Sequence, residues 1–397
     1  MSSRPDFVFP LLALLAGHTF ASMASLVLPA VAPAVARDYG FDPSLIGYQI
    51  SMVSAGMAVT LALLGNASRR YGAARTNQAG HALIAVGMLG MLAPWTACLI
   101  IGSLVIGLGY GMITPSASQL LMRYTPAARR STVFSMHQVG IPAGGMLAAL
   151  IAPAVTVYAG WRWAVAASAL LSLGVMLLMQ FGRRTWDDDR DRSAAAITAN
   201  PLAGAIAIWG HPQLRLATIA GSCFSWVQFC TATFTVVACV SVLDMSLVLA
   251  GTVLTVVQFA SAAGRVLIGW IVDRVQDTTR VLAWTAAVMM LATLAAAALD
   301  PVLPLIAVYM LFAVLGAASG CWPGALLAEV GRLAPQGQVS LAVSGSLVIT
   351  NVGKFAGPII FANVYALTRS YDIAFALLAL PAAVALYCLL AARRPAR

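Results

Sequence analysis

The sequence predicts an all-α membrane protein whose 12 transmembrane helices form two pseudo-symmetric six-helix bundles. Three observations carry that prediction. Of the 397 residues, 61% are hydrophobic and only 9% charged, against about 25% charged in a soluble domain. Apolar runs recur from end to end, and nearly every one has the roughly 20 residues a helix needs to cross a bilayer. The second half of the chain also repeats features of the first, in the same order.

Taken in order, the run from Phe7 to Ala34 is too long for the core of a signal peptide and reads as the first span. Further spans are expected at 44–65, 77–95, 97–122, 131–157 and 163–182, the third and fourth separated only by the Pro94-Trp95 break. A polar stretch follows, with the run Trp186-Asp187-Asp188-Asp189-Arg190-Asp191-Arg192. Six more spans are expected at 216–241, 247–272, 280–299, 303–328, 340–366 and 373–392. The domains so defined are an N-terminal bundle, 1–182, a cytoplasmic linker, 183–215, and a C-terminal bundle, 216–397.

The net charge of +10 is spread over short connectors and not gathered on one surface, so it reads as a topology signal and argues against nucleic acid as a partner. With the N-terminus inside, 18 of the 23 basic residues face the cytoplasm: Arg4, Arg69, Arg70, Arg75, Arg123, Arg129, Arg130, Arg183, Arg184, Arg190, Arg192, Arg215, Arg274, Arg280, Arg332, Arg393, Arg394 and Arg397. Only Arg37, Arg162 and Arg369 lie on the other side. The asymmetry predicts a multi-pass inner-membrane protein with both termini cytoplasmic and the lipid bilayer as its solvent.

Four features recur. Gly65-x4-Arg70 matches Gly269-x4-Arg274, and Gly107-x3-Gly111 matches Gly316-x3-Gly320. Pro126 and Pro335 follow at the same offset, and Gln138-Val-Gly140-x3-Gly144 matches Asn351-Val-Gly353-x3-Gly357. Each match alone is weak, because glycine is common in membrane helices. Four in order imply a pseudo-twofold axis with a central cavity between the halves.

Two basic residues remain, and both fall within spans. Lys354 is the only lysine and sits in the middle of the eleventh run; Arg265 lies in the eighth, about two turns from its cytoplasmic end. A cation at mid-span costs about 2.5–3.5 kcal/mol on insertion scales. All 13 acidic residues are expected at span ends or in loops, so a bound anion or a wet cavity is the expected compensation. Gln258, Ser261 and Arg265 share one helical face, as do Asn351, Lys354 and Pro358, then Gln228, Thr231 and Thr235, and finally His18, Ser22 and Ser25. Such stripes serve equally as contacts between helices. The substrate-binding candidates are Arg265, Lys354, Asn351, Gln258, Gln228, His18, Gln138 and Tyr110, with Trp226 and Trp322 as further cavity aromatics. His18 and His137 are candidates for proton coupling, since imidazole titrates near physiological pH. His81 and His211 are expected near the cytoplasmic surface, without a role.

Six scattered cysteines, without a Cys-x-x-Cys pair or a Cys/His cluster, read as packing residues; neither a metal nor a cofactor is expected. No nucleotide loop, Gly-x-Ser-x-Gly or His-Glu-x-x-His occurs, so the chain does not read as an enzyme or a primary pump. A receptor would be expected to carry a signalling domain. A proton-coupled efflux pump for drugs or other small hydrophobic solutes is the competing transport reading, and it predicts an acid inside the membrane.

Over essentially its whole length the chain resembles the major facilitator superfamily. That family carries Gly-x3-Asp-Arg-x-Gly between its second and third helices and again between its eighth and ninth. Here Gly269-Trp-Ile-Val-Asp273-Arg274 is the fuller copy, with Gln276 in place of the last glycine. Gly65-Asn-Ala-Ser-Arg69-Arg70-Tyr-Gly72 keeps both glycines and has Arg69 in the Asp position. Gly107-Leu-Gly109-Tyr-Gly111 is similar to the fourth-helix motif, with Ser103 where an Arg is common. An Arg in the eighth helix with a Lys in the eleventh resembles the superfamily's carboxylate porters, the oxalate:formate exchangers, and Arg265-x3-Gly269 resembles the monocarboxylate transporters. The resemblance implies a monomeric secondary carrier, symporter or antiporter, that binds a small organic anion, a mono- or dicarboxylate, through Arg265 and Lys354 and works by alternating access. The gating loops would be Gly65, Arg70, Gly72, Gly269, Asp273 and Arg274.

Overall fold

The structure is a computed structural model that describes residues 8–64, 66–126, 129–195, 197, 203–335 and 338–393. Arg4, Arg394 and Arg397, and Gly65 of the first loop motif, lie outside the described residues. Among those described, every regular element is a helix. Twelve segments correspond to the expected spans: α1 (Val8–Ala30), α2 (Pro43–Leu63), α3 (Ala73–Gly90), α4 (Thr96–Tyr124), α5 (Met136–Ala159), α6 (Trp161–Trp186), α7 (Pro212–Val242), α8 (Leu247–Val275), α9 (Thr278–Ala296), α10 (Leu305–Leu333), α11 (Leu341–Thr368) and α12 (Tyr371–Ala392). All but α3 are long and apolar enough to cross a membrane.

The exception is explained by its partners. Asn77 and Gln78 of α3 turn inward, where Asn77 Nδ2 donates to Ser116 Oγ (3.1 Å) on α4 and Gln78 Nε2 donates to the Met176 carbonyl (3.0 Å) on α6. Polar groups in a membrane helix must find partners within the protein. The polarity that lowers the apolar character of α3 is thus spent on helix–helix contacts.

The chain divides into two compact units, Met1–Val27 with Met52–Pro201, and Leu28–Ser51 with Leu202–Arg397. In the first, residues 187–194 after α6 are tied to the loop and helix end beside them. Asp187 accepts from the backbone N–H of Ala74 (2.7 Å) and of Arg75 (3.1 Å), which caps the N-terminus of α3. Gly72 makes room: at φ +98°, a Cβ there would run into the Asp187 carboxyl. Burial pushes that carboxyl up from its ordinary value, outweighing the pull of the two N–H groups. Beside it Arg123 pairs with Asp188 and with Asp189 (3.3 Å), and Arg70 Nη1 donates to the Ala194 carbonyl (3.1 Å).

In the second unit, α7 packs on α11 and α12, and α8 packs on α10. α10 breaks between Gly320 and Trp322. Pro323 has no N–H to offer the Ser319 carbonyl, which interrupts the helical ladder there. The segment Leu28–Ser51 is fastened to α11 and its C-terminal end by an Arg369–Asp42 ion pair (2.8 Å) and by Ser51 Oγ donating to the Phe355 carbonyl (2.6 Å).

Glu329 sits one turn from the end of α10, which runs to Leu333; its side chain is 2% exposed and accepts from Thr279 Oγ1 (2.8 Å) and Arg332 Nε (2.9 Å). One expectation is corrected. His81 is not near a surface. It lies midway along α3, fully buried, with its Nε2 3.0 Å from where a Cβ on Gly17 would stand. His211, by contrast, is exposed just before α7.

Candidate functional site

Lys354 lies in α11, between Gly353 and Phe355, and is 5% exposed. Its depth follows from the glycines around it. A Cβ on Gly353 would strike the Ser222 carbonyl, and one on Gly357 would stand 2.6 Å from Trp226 Cδ1, so α11 rides directly on the backbone of α7. Lys354 is carried with it, and its Nζ stands 4.3 Å from the centroid of the Phe229 ring of α7. That is cation–π geometry, and its worth grows as water is removed.

Arg265 is half-buried on α8, ten residues before that helix ends, and its Nε donates to the Gly320 carbonyl (3.1 Å) at the break in α10. Gln258 and Asn351, each 7% exposed, are buried in the same unit. Gln228 Oε1 accepts from Trp322 Nε1 (2.9 Å), and Trp322 stacks on Phe224 with centroids 6.2 Å apart. This unit therefore carries two cations and three carboxamides on α7, α8 and α11, with Lys354 set against Phe229, Gln228 joined to Trp322, and Arg265 joined to the break in α10. A cation against an aromatic face is suited to meet a carboxylate.

Not every predicted stripe belongs here. Ser261 packs into Gly320 on α10, and Thr231 and Thr235 back-bond to the Val227 (2.8 Å) and Thr231 (2.6 Å) carbonyls of their own helix. These are packing residues. Phe229 and the Trp322–Gln228 bond were missed by the spacing of polar residues, which passes over aromatics. The one available signal was that Phe229 follows Gln228 directly.

In the other unit, His18 Nδ1 and His137 Nε2 are 3.2 Å apart, and both rings are buried, at 1% and 2% exposed. Tyr110 of α4 meets His18 edge-on, with centroids 5.7 Å apart. Gln138 follows His137 at the break in α5. Ser22 Oγ donates to the Ile141 carbonyl (2.7 Å) and Ser25 Oγ to the Ser22 carbonyl (2.8 Å), so the rest of the α1 stripe is helix contact.

Of the loop motifs, Gly72 and Arg70 have the contacts given above. Asp273 and Gly269 are exposed, and Arg274 lies over the Trp270 ring, 4.4 Å from its centroid.

Residues 13–358 match the Major Facilitator Superfamily. The chain is 24% identical to a gallate transporter of Pseudomonas putida, over 92% of this chain and 87% of that one. It is 27% identical to the 4-hydroxybenzoate transporter PcaK of Acinetobacter baylyi, over 38% of this chain and 33% of that one. Among solved structures, the nucleoside transporter NupG superposes with a TM-score of 0.79 at 15% identity, over 97% of this chain and 99% of that chain. The peptide transporter POT does so at 0.76 and 15%, over 98% and 94%. These relatives are transporters, not enzymes, and with the family match across most of its length the chain belongs to the Major Facilitator Superfamily.

Proposed function

We propose that the chain is a secondary active transporter of a small organic anion, and that the anion is an aromatic monocarboxylate. The observation that carries this reading is Lys354, a lysine buried in a membrane span with its ammonium over the Phe229 ring. Lys354 and Arg265 would hold the carboxylate. Gln228, Gln258 and Asn351 would hold ring hydroxyls, and Phe229 and Trp322 would flank the ring. Two relatives that carry gallate and 4-hydroxybenzoate support the substrate class. We further infer, from the distribution of arginines, that both termini are cytoplasmic in an inner membrane, and that the protein works as a monomer by alternating access.

The test is uptake into proteoliposomes of benzoate, 4-hydroxybenzoate, gallate, formate and oxalate, with a hydrophobic cation alongside. A charge-assisted contact is worth about 1.5–3 kcal/mol, so Lys354→Ala and Arg265→Ala should each lower aromatic acid uptake by about 10- to 100-fold. Wild-type rates in both variants would sink the anion site. Transport of the hydrophobic cation alone would hand the assignment to drug efflux.

A further inference from the structure

The His18–His137 pair has a proton capacity that can be read from its geometry. A neutral imidazole has one nitrogen that donates and one that accepts. With Nδ1 of His18 facing Nε2 of His137 at 3.2 Å, a single hydrogen lies between the rings. One added proton makes one ring a cation and strengthens that bond, because the donor is then charged. A second would make both facing nitrogens donors, break the bond and set two cations side by side in a buried site. The geometry therefore has room for one added proton and not for two.

The helices around the pair bring the following polar and titratable groups. The His137 ring is also hydrogen-bonded to the Leu14 backbone on α1. α1 itself has no Asp, Glu, Lys or Arg. α4 presents Tyr110, and its one charged residue, Arg123, is at the far end with Asp188 and Asp189. α5 adds Gln138 and no charge from Met136 to Ala159, and the helix that carries His137 begins at Arg130, seven residues before it. α3 places His81 beside Gly17, on α1 next to His18, and its one charged residue, Arg75, is in its first turn. The charges of α6, Arg162, Arg183 and Arg184, are at its ends.

We propose that the His18–His137 pair is the carrier's proton-binding site, loading one proton per turnover, so that a monocarboxylate crosses with no net charge. The proton is taken from water on the side the anion leaves and is returned to water on the other side; only N–H bonds form and break. This rests on the anion reading above, since the stoichiometry is counted against a monoanion.

The experiment uses purified full-length protein in proteoliposomes with 4-hydroxybenzoate. In wild type, an imposed pH gradient should drive accumulation, and a potassium diffusion potential with valinomycin should not. His137→Gln should abolish accumulation driven by the pH gradient, at least tenfold, while leaving exchange of labelled for unlabelled anion at the wild-type rate. Exchange needs no net proton movement, and its survival also shows that the variant is folded. Potential-driven uptake by the wild type overturns the one-proton stoichiometry. Wild-type accumulation by His137→Gln, or its loss of exchange as well, overturns the pair as the proton site. Lys354→Ala should lose both modes, so failure of the anion reading registers in that variant, whatever His137→Gln does.

Discussion

At the crossing of α1 and α5, Gly140 stands against His18 and Gly144 against Thr19 and Ser22; at the crossing of α7 and α11, Gly353 stands against Ser222 and Gly357 against Trp226. His18 to Ser222 and Ser22 to Trp226 are each 204 residues apart, and Gly140 to Gly353 and Gly144 to Gly357 are each 213. The same holds where α4 meets α2: Gly107 abuts Val53, as Gly316 abuts Val257. The backbone contacts are copied between the halves and the chemistry is not. Where the second unit has Lys354 the first has Ile141, and where the first has the imidazole of His18 the second has Ser222. Close approach of helices needs glycine in either half, so those positions are bound by sterics. The residues beside them are free to differ, and there one unit has cations and the other histidines.

The largest expected effects fall on what the halves share. Gly144→Leu and Gly353→Leu each push a side chain into a carbonyl of the facing helix, and each should cost at least about 3 kcal/mol. Neither variant should give a monodisperse peak on size exclusion in detergent. A well-folded Gly353→Leu would break the equivalence of the two crossings.

Next come changes to what the halves do not share. Lys354→Ile gives α11 the residue type that α5 has at Ile141. It replaces the buried ammonium and its contact with the Phe229 ring by an apolar side chain that a membrane span favours. Thermal melting should not fall, while 4-hydroxybenzoate uptake falls by about 10- to 100-fold. Lower stability together with lost uptake would mean that Lys354 is structural.

The smallest effects concern the helix caps. α9 is capped by the residue before it, Asp277, whose carboxylate accepts from the Arg280 N–H (2.8 Å). The loop before α3 has no acid, and Asp187 serves it from beyond α6. Asp187→Ala and Asp277→Ala should each cost about 0.5–2 kcal/mol, the first the more because its site is buried. Asp187→Asn keeps an acceptor and should stay within about 1 kcal/mol of wild type. Since the Asp187 carboxyl is raised on folding, the native state holds its proton more tightly than the unfolded chain. Its ionisation therefore lowers stability as pH climbs from the ordinary carboxylate range through the raised value, and Asp187→Asn should remove that part of the pH dependence of melting.

This division also explains what could be read from the sequence. Twelve spans, their order and the glycine repeats inside the fourth and fifth spans of each half are local or periodic features, and each has a counterpart in the structure. Lys354 and Arg265 stood out because a cation in an apolar run is costly wherever it lies. The cap from Asp187, the partners of Asn77 and Gln78, and the Phe229 face under Lys354 join residues far apart in sequence, and no spacing rule reaches that distance. His81 lies inside because α3, polar as it reads, turns Asn77 and Gln78 to partners on α4 and α6.

The central claim is that the second unit holds a carboxylate at Lys354. Equilibrium binding of 4-hydroxybenzoate to the purified carrier, measured by isothermal titration for wild type and for Lys354→Ile, tests it most directly. Saturable binding in wild type, weakened at least about tenfold in a variant that melts no lower, is the predicted result. Equal affinity in the two proteins would contradict it.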